Sequence, residues 1–278
     1  MIGVVGSTRF IGRFVIRVLQ DAGESVTWLV RDPERARELA GPGVSIRMCD
    51  LVDLPDDLPA MSCIVNASHI RFASQVLELC DRVGASRAIF VSSTWVHSRF
   101  ITEQVQSTRA GEDVVKESDL TWTILRPTMI YGPGDRNISV LRNRISNCRV
   151  FPVIGSGERL VQPVFVEDVA FAISSAASRR SAEMACLEIC GPEPMTYSQM
   201  IDQISASLGK SLVKVYVPVL AAKSIAWAME KLSTKPGITA DQINRMAEDR
   251  SFAIEEAETL LGFDPRPFSE GLHQAVGS

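Results

Sequence analysis

The chain has 278 residues, a formal net charge of −4 and a pI near 5.5, with 46% apolar, 22% charged and 6% aromatic residues. That length suits one large core with a smaller lobe attached, and the acidic balance excludes a mainly electrostatic nucleic-acid binder, which needs a basic face. Six cysteines, at 49, 63, 80, 148, 186 and 190, form no CxxC pair and are joined by only three histidines, so no metal site is expected. Buried free thiols fit a reducing compartment, and no basic segment precedes an apolar run at the N-terminus, so the expected location is cytoplasmic. No apolar stretch reaches about 18 residues without a charge or proline, so no membrane span is expected.

In chain order, Ile2 to Val5 reads as a buried strand. Phe10 to Ala22 has helical apolar spacing and stops at Gly23. Val26 to Val30 is the next strand; Asp32-Pro33-Glu34 then gives an N-cap, a proline at the first helical position and an acid in the first turn, opening a helix to Ala40. Val44 to Met48 and Cys63 to Val65 are strands three and four, and Ile70 to Val83 is a helix closed by Gly84. Arg87 to Ser92 is strand five, Glu112 to Glu117 lies on a helix, and Thr121 to Leu125 is strand six, stopped by Pro127. Beyond the turn-rich loop 131–135, residues 151–166 read as strand, glycine loop and strand. Helices are expected over 167–178, 196–208, 218–232, 239–248 and 253–261. Alternation of this kind predicts an α/β fold: a Rossmann-type, doubly wound parallel sheet over residues 1–130, with a smaller C-terminal α/β substrate lobe over 131–278. Elements near 160–190 are expected to return to the sheet.

Ligands of such sheets bind beyond the carboxyl ends of the strands. The first such end carries GSTRFIG: Gly6, Ser7, Thr8, Arg9, Phe10, Ile11 and Gly12. It follows a strand and opens a helix, the context a dinucleotide pyrophosphate loop requires. Gly6 permits a tight turn, Gly12 permits close helix–strand approach, and the helix N-terminus offers N–H groups to phosphate. Arg9 stands where a middle glycine is usual, and its guanidinium suits a phosphate if it points outward. The second strand ends in Val30-Arg31-Asp32 instead of an acid. Arg31, with Arg35 one turn on, suits a 2′-phosphate, so NADP is the preferred cofactor; Asp32 keeps NAD as the alternative, although an N-cap role already occupies it. Asp50 and Leu51 after strand three fit an adenine-side contact or a simple turn. Asn66, Ala67 and Ser68 after strand four, and Pro127 after strand six, complete the cofactor set.

GSTRFIG, LVRDPERAREL, FVSSTWVH, LTWTILRPTMIYGPGD, QPVFVEDVA and LGFDPRPFSEGL together resemble the extended and atypical short-chain dehydrogenase/reductases, the NAD-dependent epimerase/dehydratase group, to about residue 272. The resemblance implies an oxidoreductase or isomerase acting on a small molecule, with nucleotide sugars a candidate class. It places Ser93 at the catalytic serine, with Thr94 as a neighbour able to substitute. The tyrosine and lysine positions fall on Gln104 and Thr108, or on Arg109 for the lysine if the register slips by one, and neither Gln nor Thr titrates near neutral pH. His97, Tyr131 and Glu103 are alternative acid/base groups, each with a bland reading: a packed histidine, a structural tyrosine, a solvated helix-start acid. The arginine that often binds the substrate pyrophosphate is replaced by Val161, followed by Gln162, and Arg159 is the nearest cation. QPVFVEDVA looks like the atypical branch that includes an accessory subunit of respiratory complex I, and GSTRFIG is similar to the loop of chloroplast stem-loop RNA-binding proteins of this fold. Asp168 is expected to cap its helix and hold the glycine loop. Residues 217–232, with Trp227 and Met229, could line a cleft, pack in a core or form a homodimer face. Two function classes follow: an NAD(P)-dependent epimerase, dehydratase or reductase with a degenerate Tyr/Lys pair, and a non-catalytic NAD(P)-binding scaffold or sensor.

Overall fold

The computed structural model describes residues 1–40, 43–232 and 248–275, less the side chains of 225, 226 and 228–232. Residues 239–247 of the helix expected over 239–248 and the side chain of Met229 lie outside the described residues. The first half runs β1 (Ile2–Val5), α1 (Phe10–Asp21), β2 (Val26–Val30), α2 (Pro33–Leu39), β3 (Ser45–Met48), β4 (Cys63–Asn66), α3 (Ala73–Val83), β5 (Arg87–Val91), α4 (Glu103–Lys116) and β6 (Thr121–Pro127). It continues through β7 (Ile130–Tyr131), α5 (Ile138–Ser146), β8 (Val150–Ile154), β9 (Leu160–Val161), β10 (Val164–Phe165), α6 (Val166–Ser178) and β11 (Ala185–Ile189). The chain then forms β12 (Met195–Thr196), α7 (Tyr197–Ser207), β13 (Val213–Val217), α8 (Val219–Leu232), α9 (Glu255–Leu261) and α10 (Phe268–Gln274).

Seven strands form one sheet in the order β11-β6-β5-β4-β1-β2-β3, every pair parallel. Strand order reverses between β1 and β4, which places a crevice above the ends of those two strands. β1 and β4 are buried along their whole length because helices cover both faces, which is why they read as unbroken apolar runs. One face carries α1, α6 and α9 over Val4, Val15, Leu19, Val169, Ile173 and Leu261; the other carries α3 and α4 over Ile64, Leu79, Phe90, Val115 and Ile124. A third core joins Tyr131, Ile145, Phe151, Val153, Phe165, Met200, Ile201 and Phe268.

Several local expectations need adjustment. Pro127 is the last residue of β6, opposite Ile189, and does not stand beyond it. The strand tolerates it because its pairing with β5 ends at Leu125, so no ladder N–H is needed at Pro127, while Thr128 N–H still bonds Ile189 O on the β11 side. The helix after β4 opens with a 3-10 turn at Ile70–Phe72, and α4, which carries Glu112 to Lys116, starts at Glu103, where the Thr102 hydroxyl caps it by accepting from Val105 N–H. Asp168 does not cap α6 and does not hold the glycine loop: it accepts from Arg266 N–H at 3.0 Å and Nε at 2.9 Å, tying the C-terminal tail to α6.

Candidate functional site

The glycine loop sits at the reversal of strand order. Gly6 has φ +79°, and a Cβ there would come within 2.9 Å of Ser68 N. A Cβ on Gly12 would stand 2.2 Å from Gly6 O. Both glycines are therefore required by contact, Gly12 through the approach of α1 to the loop it leaves. The Arg9 N–H closes the turn on Gly6 O at 2.9 Å. No side chain caps α1 and no acid lies in its first turn, so its N-terminal dipole is left unneutralised. Ser7 is fully buried and its Oγ has no hydrogen-bond partner. Asn66, at the end of β4, is also fully buried; its Oδ1 accepts from Ser68 N and Oγ at 3.1 and 2.5 Å, while its Nδ2 has no partner. Buried polar groups are ordinarily satisfied, so two orphans beside an uncapped helix start fit a polar, anionic occupant such as a dinucleotide phosphate.

The surrounding charges agree with that fit. Arg9 is exposed, and Thr8, Phe10 and Ile11 are half-buried around it. Burial, then the charges of Arg71 and Arg9, hold His69, in the loop that follows β4, below the ordinary imidazole range. Ala67 is buried between Asn66 and Ser68. Arg31 and Arg35 are exposed at the end of β2, and Asp32 accepts from Arg35 N–H at 3.1 Å as the N-cap of α2. Asp50 accepts from Val52 N–H at 3.1 Å, a turn contact, with Leu51 half-buried beside it. The orphans Ser7 and Asn66, the two sharpest signals here, both stood in the expected set, but their burial without a partner cannot be read from sequence.

The second half of the site lies beyond β5. Ser93 caps the 3-10 turn Thr94–His97, its hydroxyl accepting from Trp95 N–H at 3.3 Å. Thr94 is buried and its hydroxyl donates to Pro127 O at 3.4 Å. His97 turns its Nε2 to Glu188 Oε1 on β11, 2.8 Å away, and its ring packs on Phe252 with centroids 5.3 Å apart. Thr108 is buried with its hydroxyl donating to Gln104 O at 2.7 Å inside α4, and Gln104 is exposed. Arg109 braces the loop from α4, donating to Val96 O and Ser98 O at 2.9 and 2.8 Å. Tyr131 is fully buried and donates to Phe268 O at 3.3 Å in the third core, and Glu103 is exposed in the first turn of α4. Trp227 is 61% exposed.

Sequence reasoning missed a buried charge network beneath this loop. Glu112, 2% exposed, accepts from Ser92 Oγ at 2.6 Å, Arg126 Nε at 2.9 Å and Lys116 Nζ at 3.0 Å. Arg126 also donates to Glu188 at 3.1 Å, the carboxylate that holds His97. Burial alone raises the Glu112 pKa; the hydrogen bonds from Arg126, Ser92 and Lys116 and the Arg126 charge outweigh it and set the carboxyl below the ordinary range. The one available signal was Arg126, a lone charge in the largely apolar strand β6. All six cysteines are unpaired. Burial pushes Cys63, Cys80 and Cys190 up to about 12 and Cys49 to about 11, so none of these four is a thiolate at neutral pH. Among the described residues no group of His, Cys, Asp or Glu could hold a metal, and no helix is long and apolar enough to cross a membrane.

Comparison with known proteins agrees with this geometry. The NAD(P)H-binding family model matches residues 6–146. The chain is similar to the mitochondrial NADH-ubiquinone oxidoreductase 40 kDa subunit of Neurospora crassa, 25% identical over 94% of this chain and 75% of that protein. It is also similar to the ceramide reductase of Caulobacter vibrioides, 24% identical over 100% of this chain and 89% of the relative. The solved structure of MoeE5 in complex with UDP-glucose and NAD shares the fold, with a TM-score of 0.74 and 20% identity over 99% of this chain and 96% of that one.

Proposed function

The chain belongs to the NAD(P)H-binding family within the extended short-chain dehydrogenase/reductase superfamily, and on that premise we propose that it is an NAD(P)H-dependent reductase of a small carbonyl-type or sugar-type acceptor, working without the family's tyrosine–lysine pair. The observation that carries the reading is the cradle at the strand-order reversal: two glycines that admit no Cβ, with Ser7 Oγ and Asn66 Nδ2 left unpartnered beside the open start of α1. In this reading the backbone N–H groups of the loop and Arg9 bind the pyrophosphate, and Arg31 with Arg35 binds a 2′-phosphate, so NADPH is preferred over NADH. When bound, the nicotinamide supplies hydride chemistry. Ser93, with Thr94, orients the acceptor oxygen by hydrogen bonding. Gln104 and Thr108 hold no titratable proton, so the proton comes from water or from the acceptor itself. Residues 1–130, with α6 and β11, form the dinucleotide half, and 131–278 form mainly the substrate lobe.

One observation favours a second reading, a non-catalytic NAD(P)-binding scaffold: Thr108 at the lysine position is spent on an internal helix bond and faces the core.

Paired calorimetric titration with NADPH and NADH tests the first reading. Binding of NADPH is expected. Arg31→Glu is expected to weaken NADPH by about tenfold or more, the loss of one charge-assisted contact, with a smaller effect on NADH. Equal losses would discard the NADP preference, and no binding of either dinucleotide would discard the reading. His97 is assigned a bracing role through Glu188 and Phe252. His97→Ala is therefore expected to keep turnover of NADPH with 9,10-phenanthrenequinone within about threefold of the parent, where loss of an acid/base group costs about a hundredfold or more. A loss of that size would return His97 to the chemistry.

A further inference from the structure

The chain segment just before α9 crosses from the C-terminal lobe onto the loop that carries Ser93 and Thr94. On one side it lies along β9: Leu160 N–H donates to Asp249 Oδ1 at 2.8 Å and Arg250 N–H donates to Leu160 O at 2.9 Å. Two residues on, Phe252 N–H donates to the buried Gln162 side chain at 2.8 Å. On its other side the same segment grips the loop. Glu248, 5% exposed, accepts from Ser98 Oγ and from Arg99 N–H, both at 2.7 Å. Arg250 donates to Thr94 O at 3.0 Å, pairs with Glu248 at 2.7 Å, and lies over the Trp95 ring with its Cζ 3.9 Å from the centroid. Phe252 packs on His97. The loop is thus held at Thr94, Trp95, His97, Ser98 and Arg99 by Glu248, Arg250 and Phe252, three alternate residues of the opposite lobe.

We propose that Glu248 and Arg250 are positioning residues for the reaction, holding the Thr94–Arg99 loop so that the Ser93 hydroxyl at its start meets the acceptor. This rests on the reading above, in which the Ser93 hydroxyl orients the acceptor oxygen. The physical case is the cost of an alternative. Glu248 is a buried carboxylate whose partners on the loop are the Ser98 hydroxyl and the Arg99 N–H, with the Arg99 guanidinium 4.0 Å away; releasing the loop leaves it buried with Arg250 alone. Arg250 places a planar cation both on a carbonyl and on an aromatic face, which fixes the loop in angle as well as in distance. Thr94 cannot shift without breaking its bonds to Arg250 and to Pro127 O together.

The test uses the full chain and the variants Glu248→Ala, Glu248→Gln, Arg250→Met and Arg250→Lys. Backbone amide exchange is followed in peptides covering 93–100, with 87–91 of β5 as the internal control, and turnover is measured with NADPH and 9,10-phenanthrenequinone. Glu248→Ala and Arg250→Met are expected to speed exchange at 96–99 by about tenfold or more while β5 exchange is unchanged, the mark of local opening. kcat is expected to fall with the NADPH Kd held within about twofold, because the phosphate cradle is untouched. Glu248→Gln, which keeps an acceptor for Arg99 N–H, is expected to recover most of both losses. If a truncating variant does not fold, Glu248→Gln and Arg250→Lys carry the same comparison at smaller amplitude. Exchange at 96–99 equal to the parent in folded variants overturns the proposal. A parent that binds NADPH and exchanges as expected but turns over no acceptor overturns the reductase reading instead, and with it the catalytic consequence of the latch.

Discussion

Gly12→Val is expected to eliminate detectable binding of both NADPH and NADH. The added Cβ would fall 2.2 Å from Gly6 O and 2.8 Å from Ser7 Cα, both backbone, so no flexible side chain can yield. The loop and the first turn of α1 must part, and the N–H groups that face a phosphate separate with them. Overpacking of this kind costs about 1–3 kcal/mol of fold stability, while losing the cradle removes most of the affinity. Circular dichroism and the melting temperature report the first effect, and calorimetry reports the second. Gly12→Ala, with the same Cβ and no further branches, serves where the valine variant does not fold, and its affinity is expected to fall by about tenfold or more, the equivalent of about 1.4 kcal/mol. A folded Gly12→Val protein with parental affinity would remove the loop from the site.

Arg126→Met is expected to lower stability by about 3–5 kcal/mol at neutral pH. It removes two hydrogen bonds to Glu112 and one to Glu188, leaving a carboxylate that is 2% exposed with Ser92 and Lys116 as its remaining partners. The loss carries a pH signature. Because Glu112 is held below its unfolded value in the parent, its contribution is present above the ordinary carboxylate pKa and disappears as pH falls through the depressed folded value. In the variant the carboxylate lacks that partner, so the gap between parent and variant is expected to narrow on acidification below about pH 4. Urea unfolding at neutral pH and on the acid side measures both ends. Adding Glu112→Gln to Arg126→Met is expected to recover part of the neutral-pH loss, since the stranded charge is gone. A gap independent of pH would mean that packing around the Arg126 stem, and not charge, sets the cost.

The parallel sheet was legible because its strands are short apolar runs between helices with ordinary signals: Asp32-Pro33 at the start of α2, Gly84 closing α3 at φ +67°. The glycine loop was legible for the same reason, a motif in its required setting. Less legible were segments whose identity depends on distant partners. β13 reads as a weak polar-apolar alternation until it pairs with β8, and α10 is seven residues whose burial rests on Tyr131 and Phe165. Asp168 looked like a helix cap by position alone; only the fold reveals Arg266, ninety-eight positions later, as its partner. At the site, side-chain type was readable and direction was not. Ser93, His97 and Thr108 stood in the right loop and helix, but whether a hydroxyl or imidazole faces the crevice or a neighbouring residue is decided by packing.

The strand β11 has a consequence for how the molecule is made. It enters the sheet only after α5, β8 and α6 have been synthesised, yet it covers β6 and supplies Glu188 to Arg126. On the ribosome, the first six strands emerge with one long edge bare and with Arg126 short of a counter-ion. An open edge of that kind invites pairing with other chains. The nascent six-stranded sheet therefore keeps that edge open until residue 189 has cleared the exit tunnel, and a fragment cut at residue 130 for expression would hold this vulnerable state permanently.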